Sequence, residues 1–303
     1  MTHNSEIMAH ILGVGIATLD IINYLDQYPA EDSEVRASAQ KISRGGNVSN
    51  SLAILRQLGE QCDWCGVLAD DSGSQIIRQA LARDEIALCH CQIESSGTTP
   101  TSYIILNRLN GSRTIVHYRD LPELSFNHFA QCDLTRYQWV HFEGRAIDQT
   151  VQMLQHLKQQ QPQLPCSLEI EKPREGIEAL FPYAELLLFS RHYAEASGHK
   201  SATSLLKAVQ PLAPRAQLVC AWGGDGAYAI EPKGKVFHAP AFAQSHIIDS
   251  LGAGDTFNAG MIHNCLAGHS LAVALHNSNR LAGLKCSQQG YTGLAARYQQ
   301  LDG

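Results

Sequence analysis

The sequence predicts an α/β fold: a mostly parallel sheet with helices on both faces, plus a small β-sheet flap outside it. Three observations predict it. Short apolar runs alternate with helical patterns after the first third of the chain. A hairpin signal at Asn110-Gly111 breaks that rhythm. No internal repeat, low-complexity tract or Pro/Ser-rich linker divides the 303 residues.

The body comes first. Residues 139–143, 165–171, 185–190 and 217–222 read as strands, and 147–160, 201–210, 255–267 and 270–286 as helices between or after them. Strand–helix alternation of this kind is the pattern of a parallel sheet buried on both faces. The flap follows. Residues 101–109 and 112–119 are β-rich runs joined at Asn110-Gly111, where both residues tolerate positive φ. The stretch 16–39 is placed to supply its other strands. One face of such a flap is left for a ligand or a second subunit.

Composition narrows the function. Hydrophobic residues make up 44% and charged residues 17%, which is ordinary for a globular protein and too apolar for disorder. The net charge of −6 leaves no excess of Lys and Arg to displace counterions, which argues against a nucleic-acid partner. No apolar run approaches the length of a bilayer span, and the first ten residues lack a basic start and a signal core. The expectation is a soluble, cytoplasmic enzyme. Nine cysteines fit that compartment. Cys62 and Cys65 are spaced like metal ligands, but they fall in a strand, where side chains three apart face opposite ways. With Cys89 and Cys91 in a second strand, the cysteines read as small core residues.

Familiar nucleotide motifs do not fit. Gly13-Val-Gly15 is followed by Thr18 where a dinucleotide fingerprint needs glycine, and no Walker A loop occurs. Tyr118-Arg-Asp-Leu121 has no partner motif of a protein kinase downstream.

Two glycine-rich segments carry the chemistry. In Asp249-Ser-Leu-Gly-Ala-Gly-Asp255-Thr-Phe-Asn258, Gly252, Ala253 and Gly254 open a helix whose apolar residues recur at helical spacing. Free N–H groups at such a start form an anion hole for a phosphoryl group. Asp255 beside it is either a helix cap or a base for an acceptor hydroxyl. In Arg44-Gly-Gly-Asn47-Val-Ser-Asn50-Ser51, Asn47 and Asn50 share a face at the start of a second helix. Amides beside an exposed backbone suit sugar hydroxyls; the alternative is Asn47 as an N-cap with Asn50 solvated.

Paired Gly-Gly-Asn and Gly-Ala-Gly-Asp segments resemble the signature of the ribokinase-like (PfkB) sugar kinases. Residues 28–36, 111–115, 141–145, 169–175 and 219–222 extend the likeness to the ketohexokinase branch of that family, in order, over roughly residues 10 to 292. The resemblance implies a Rossmann-like (ribokinase-like) sheet as one domain over 1–303, with a β lid from about 16–40 and 100–120 that pairs in a homodimer. It implies ATP, Mg2+ and K+ as cofactors, and transfer of the γ-phosphate to a sugar hydroxyl. Carried over by position, Asp255 is the base and Gly252, Ala253 and Gly254 the anion hole. Asp20, Asp32, Gly46, Asn47, Asn50, Arg113 and Phe242 face the sugar, and Gly226, Asn258 and Gly283 surround the nucleotide. Asp249 and Ser250 match a loop that binds potassium in many members. Asp32 also reads as part of a solvated charge run, and Glu143 with Arg145 as a structural ion pair. The family's Asn-x-x-Glu is absent after Phe189, where Ser190-Arg-His-Tyr193 stands, so no magnesium ligand is assigned. Gly223-Gly-Asp225 departs from the acidic residues of the same branch.

Overall fold

The computed structural model describes residues 8–243 and 246–301, without the side chain of Cys89. The first seven residues therefore lie outside the described part.

The chain begins with β1 (His10–Val14), which runs straight into β2 (Thr18–Leu25) and β3 (Ala39–Gly45). Then come α1 (Asn47–Gln57), β4 (Gln61–Ala69), α2 (Ser72–Arg83) and β5 (Ile86–Glu94). The hairpin β6 (Thr101–Asn107) and β7 (Arg113–Tyr118) precedes α3 (Phe126–Phe129), β8 (Trp139–Glu143) and α4 (Ile147–Gln160). Next are β9 (Cys166–Ile170), β10 (Leu186–Ser190), α5 (Arg191–Ala196), α6 (Ala202–Val209) and β11 (Gln217–Ala221). The chain closes with β12 (Ala227–Ile230), β13 (Val236–Ala239), α7 (Ala253–Leu266), α8 (Leu271–Cys286) and α9 (Leu294–Gln299).

Nine strands form the body in the order β13-β12-β11-β10-β9-β8-β1-β4-β5. All neighbours from β11 to β5 are parallel; β12 and β13 add an antiparallel edge. Side-chain alternation divides the core into two layers. Leu12, Phe142, Leu187 and Leu218 face one layer, and Ile11, Trp139, Leu188 and Val219 face the other. Cys65 and Cys62 fall on opposite layers in the same way, which is how the strand spacing reads.

The second sheet has the order β3-β2-β6-β7. β2 pairs parallel with β6, and the outer pairs are antiparallel. The β6–β7 hairpin forms where the sequence places it, with Leu106 opposite Arg113. The Asn110-Gly111 reading needs a correction. Only Gly111 has positive φ, and Gly111 N–H closes back on the Asn107 carbonyl at 2.9 Å, so the connection is longer than a two-residue turn.

This sheet leaves the body at the carboxyl end of β1 and returns through Gly45-Gly46 into α1. Gly46 has φ 102°, and a Cβ there would run into the Ile16 carbonyl, so only glycine fits this re-entry. The small sheet thus stands over the carboxyl ends of the parallel strands, where open α/β sheets bind ligands.

Candidate active site

Two helix starts meet at that end of the sheet. Ser51 Oγ on α1 donates to the Asp255 carbonyl on α7 at 3.0 Å, and Asn50 Nδ2 donates to Asp255 Oδ2 at 2.7 Å. Arg44 Nη1 in turn donates to Asn50 Oδ1 at 3.1 Å and to Ser49 Oγ at 2.7 Å. The residue that caps α7 is Gly252, and Asp255 is spent on Asn50 of another helix. This removes the reading of Asp255 as a simple cap. Likewise Gly46 caps α1, while Asn47 Nδ2 donates to Glu169 Oε1 and Glu171 Oε2, each at 3.2 Å.

The start of α7 presents backbone N–H groups. Gly252 has φ 76°, and the first helical bond runs from Thr256 N–H to the Gly252 carbonyl at 3.0 Å. The amides of Gly254 and Asp255 lie ahead of that bond, and the space around Gly254 is open. The Tyr291 hydroxyl packs directly against Gly252.

Carboxylates crowd behind this opening. Asp255 is buried, and burial pushes its carboxyl up to about 7; Glu171, Glu143 and Asp20 add to the shift and the Asn50 hydrogen bond opposes it. Glu169, beneath it on β9, is held well above the usual carboxylate range by burial and then by the charges of Asp255, Glu143 and Glu171. Asn258 Nδ2 also donates to Glu169 Oε1, at 3.1 Å. Asp20, on β2, is buried at 9% exposure, accepts from Thr18 Oγ1 at 2.8 Å and lies against Gly45; burial raises its carboxyl as well.

The structure gathers Asp20, Gly46, Asn47, Asn50, Gly252, Ala253, Gly254 and Asp255 in one place. The other sequence-derived positions fall around it unevenly. Asp32 lies on an exposed turn with φ 54°. Arg113 Nη1 donates to Ser250 Oγ at 3.0 Å, which ties β7 to the loop before α7. Phe242 packs its backbone on Gly283 of α8, and Gly226 turns beneath the Ala239 carbonyl. Asn258 Nδ2 donates to Glu169 Oε1, under Asp255. Glu143 Oε2 accepts from Ile16 N–H at 2.9 Å and Oε1 from Arg145 at 3.1 Å, and Arg145 pairs with Glu123, so this pair braces the β1–β2 crossover.

The donor set at Asp249 does not fit a free potassium ion. Lys285 Nζ reaches the Asp249 carbonyl and Oδ2, each at 2.8 Å. Ser250, the other expected ligand, has its hydroxyl on Arg113. That expectation is corrected by the presence of a lysine ammonium where a cation would sit.

Sequence reasoning passed over Arg44, Glu169, Tyr291 and Lys285. Two of these carried a signal. Glu169 is a charged residue inside an apolar strand. Lys285 continues the buried spacing of Ser278, Leu281 and Leu284 along α8.

The chain as a whole is similar to known proteins. The family model for pfkB family carbohydrate kinases matches residues 8–296. Ketohexokinase from Mus musculus is 39% identical over 292 residues, covering 94% of this chain and 98% of that protein. The structure of Arabidopsis thaliana ribokinase complexed with ribose and ATP superposes with a TM-score of 0.79 at 18% identity, covering 97% of this chain and 99% of that one. Ribokinase from Cryptococcus neoformans in complex with ADP gives 0.74 at 17% identity, covering 97% and 99%. With a buried aspartate, a glycine-rich helix start and polar amides at one end of a ribokinase-like sheet, the chain belongs to the pfkB family of carbohydrate kinases and is a phosphotransferase with an alcohol group as acceptor.

Proposed function

We propose that this kinase is an ATP-dependent ketohexokinase that transfers the γ-phosphoryl group of ATP to the C1 hydroxyl of D-fructose, giving fructose 1-phosphate. The observation that carries the reading is the Asn50–Asp255 contact, at the junction of the two glycine-rich segments, in a chain 39% identical to mouse ketohexokinase. Asp20, Asn47 and Asn50 hold sugar hydroxyls, which leaves the acceptor oxygen beside Asp255. Asp255 takes the hydroxyl proton as the oxygen–phosphorus bond forms and the bond to the ADP oxygen breaks. The amides of Gly254 and Asp255 receive the charge on the transferring group. Magnesium enters with the nucleotide, whose phosphates supply ligands; among the described residues no group of three or more His, Cys, Asp and Glu is placed to hold a metal.

The small sheet acts as a lid that excludes water. It also suits a homodimer. Ile42, Ile21, Tyr103 and Val116 are successive cross-strand partners, so they share one face, and Ile42, Tyr103 and Val116 are exposed. We place the enzyme in the cytoplasm; no helix among the described residues is long and apolar enough to cross a membrane.

An ADP-release assay across ketoses, aldoses and nucleosides tests the substrate, with product analysis to separate C1 from C6 phosphorylation. Rapid use of another sugar beside indifference to fructose rejects the proposal.

A further inference from the structure

We infer that Lys285 supplies, from within the chain, the positive charge at Asp249 that would otherwise fall to a free monovalent cation, and thereby fixes the loop leading into the anion hole. Lys285 is a positioning residue on this reading, since it touches neither the proposed sugar nor the phosphate site.

The contacts are those of a bound cation. Nζ lies 2.8 Å from the Asp249 carbonyl and 2.8 Å from Oδ2, and the lysine side chain is 0% exposed. The Tyr291 ring stands 5.7 Å away, in cation–π range. A second cation would have to share both Asp249 oxygens with an ammonium already on them. The charge is wired forward to the catalytic loop by two routes. Asp249 Oδ1 accepts from Leu251 N–H at 2.9 Å, one residue before Gly252. Tyr291, under the same ammonium, packs its hydroxyl on Gly252. The loop is also anchored behind. Asp249 Oδ2 accepts from Gly290 N–H at 3.2 Å, and the Ile248 and Asp249 amides donate to the Cys286 carbonyl at 2.8 and 3.2 Å. A buried charge that pins two chain segments in this way is costly to leave unpaired, so the lysine and the aspartate must be kept or lost together.

The test compares thermal midpoint and steady-state kinetics in KCl and choline chloride at equal ionic strength. For the wild type, the midpoint and the KM for ATP are expected to be the same in both salts. Lys285→Met is expected to lower kcat/KM for ATP by about tenfold or more. Lys285→Ala, which opens space at the two oxygens, is expected to gain a midpoint and a turnover that rise saturably with K+. Asp249→Asn/Lys285→Met removes both charges and serves if the single variants do not fold; it is expected to fold, ignore K+ and keep the raised KM. A wild-type midpoint that rises saturably with K+ overturns the inference, as does wild-type kcat and KM in a folded variant lacking Lys285. The link from loop to chemistry rests on the phosphoryl role of Gly252–Gly254. The midpoint comparison does not, so a failure of that role is told apart from a failure of the cation assignment.

Discussion

Asn50 and Asp255 lie 205 residues apart in sequence, and a 2.7 Å hydrogen bond joins them at the facing first turns of α1 and α7. Arg44 fixes its sense. The guanidinium donates to Asn50 Oδ1, so the Asn50 amide nitrogen must turn toward Asp255. A neutral donor on a buried carboxylate favours the charged form without neutralising it. Burial still raises the Asp255 carboxyl to about 7, the range in which the proposed general base transfers protons best.

The first prediction concerns Asp255→Asn. The change is nearly isosteric and removes the base, so turnover should fall by roughly 10²-fold or more with little change in sugar binding. Stability should move the other way. Burial raises the folded carboxyl from its ordinary 3.8 to about 7. Ionisation therefore costs stability, increasingly as pH climbs from the unfolded value to the folded one, and constantly above that. The variant should be more stable at pH 8 by about 1–3 kcal/mol, with the gain shrinking toward pH 4. Denaturation curves at both pH values check the sign. Near-normal turnover would remove Asp255 from the mechanism.

The same carboxyl sets a pH profile. The base must be ionised, so kcat/KM should fall about tenfold per unit as pH drops below the value near 7, and level off above it. A profile that stays flat from pH 8 to 5.5 would mean that another group takes the proton.

Asn50→Ala removes a hydrogen bond that lowers the Asp255 pKa. Its acid limb should move to higher pH, and turnover at neutral pH should fall about tenfold. A purely structural Asn50 would lower stability and leave the position of that limb unchanged, so the profile separates the two roles.

The fold was legible where one period ruled. Residues 147–160 read as a helix and form one with the same ends, and 139–143 read as a strand and form one. The helix start at Gly252 was legible because two glycines before an apolar helical run have few other uses. What the sequence hid were destinations set by packing. Asn47 looks like a cap, yet its amide goes to Glu169, 122 residues away, because the sheet brings β9 beside β8 and under α1. Arg113 follows a turn and could reach many partners; the fold brings it to Ser250, 137 residues away. Asp249 looks like an open ligand until α8 delivers Lys285 to it.

Glu169 gives a fourth prediction. Burial and the neighbouring carboxylates raise its carboxyl well above the usual range, while Oε1 accepts from Asn47 and Asn258. Glutamine can offer the same acceptor without a charge. Glu169→Gln should change stability by less than about 1 kcal/mol, whereas Glu169→Ala strands two amides and leaves a cavity, costing about 2–4 kcal/mol. Chemical denaturation of both variants decides, and equal losses would mean that a charged Glu169 is what the site needs.

The last prediction tests the anion hole through its backbone. Gly252→Ala meets two obstacles. The left-handed φ of 76° costs an L-residue about 1–2 kcal/mol, and the new methyl would strike the Tyr291 hydroxyl. The amides of Gly254 and Asp255 should then turn away from the phosphoryl position, lowering kcat/KM for ATP by about tenfold or more. Tyr291→Phe alone removes only the hydroxyl and should be mild. In the double variant the hydroxyl clash is relieved, while the ring carbons, 2.6 and 2.9 Å from the new methyl, and the backbone cost remain, so only part of the lost activity should return. A double-mutant cycle on kcat/KM measures that return. Strict additivity would show that Tyr291 does not set the position of Gly252, which would leave the helix start held by the Asp249 loop through its Leu251, Gly290 and Cys286 hydrogen bonds.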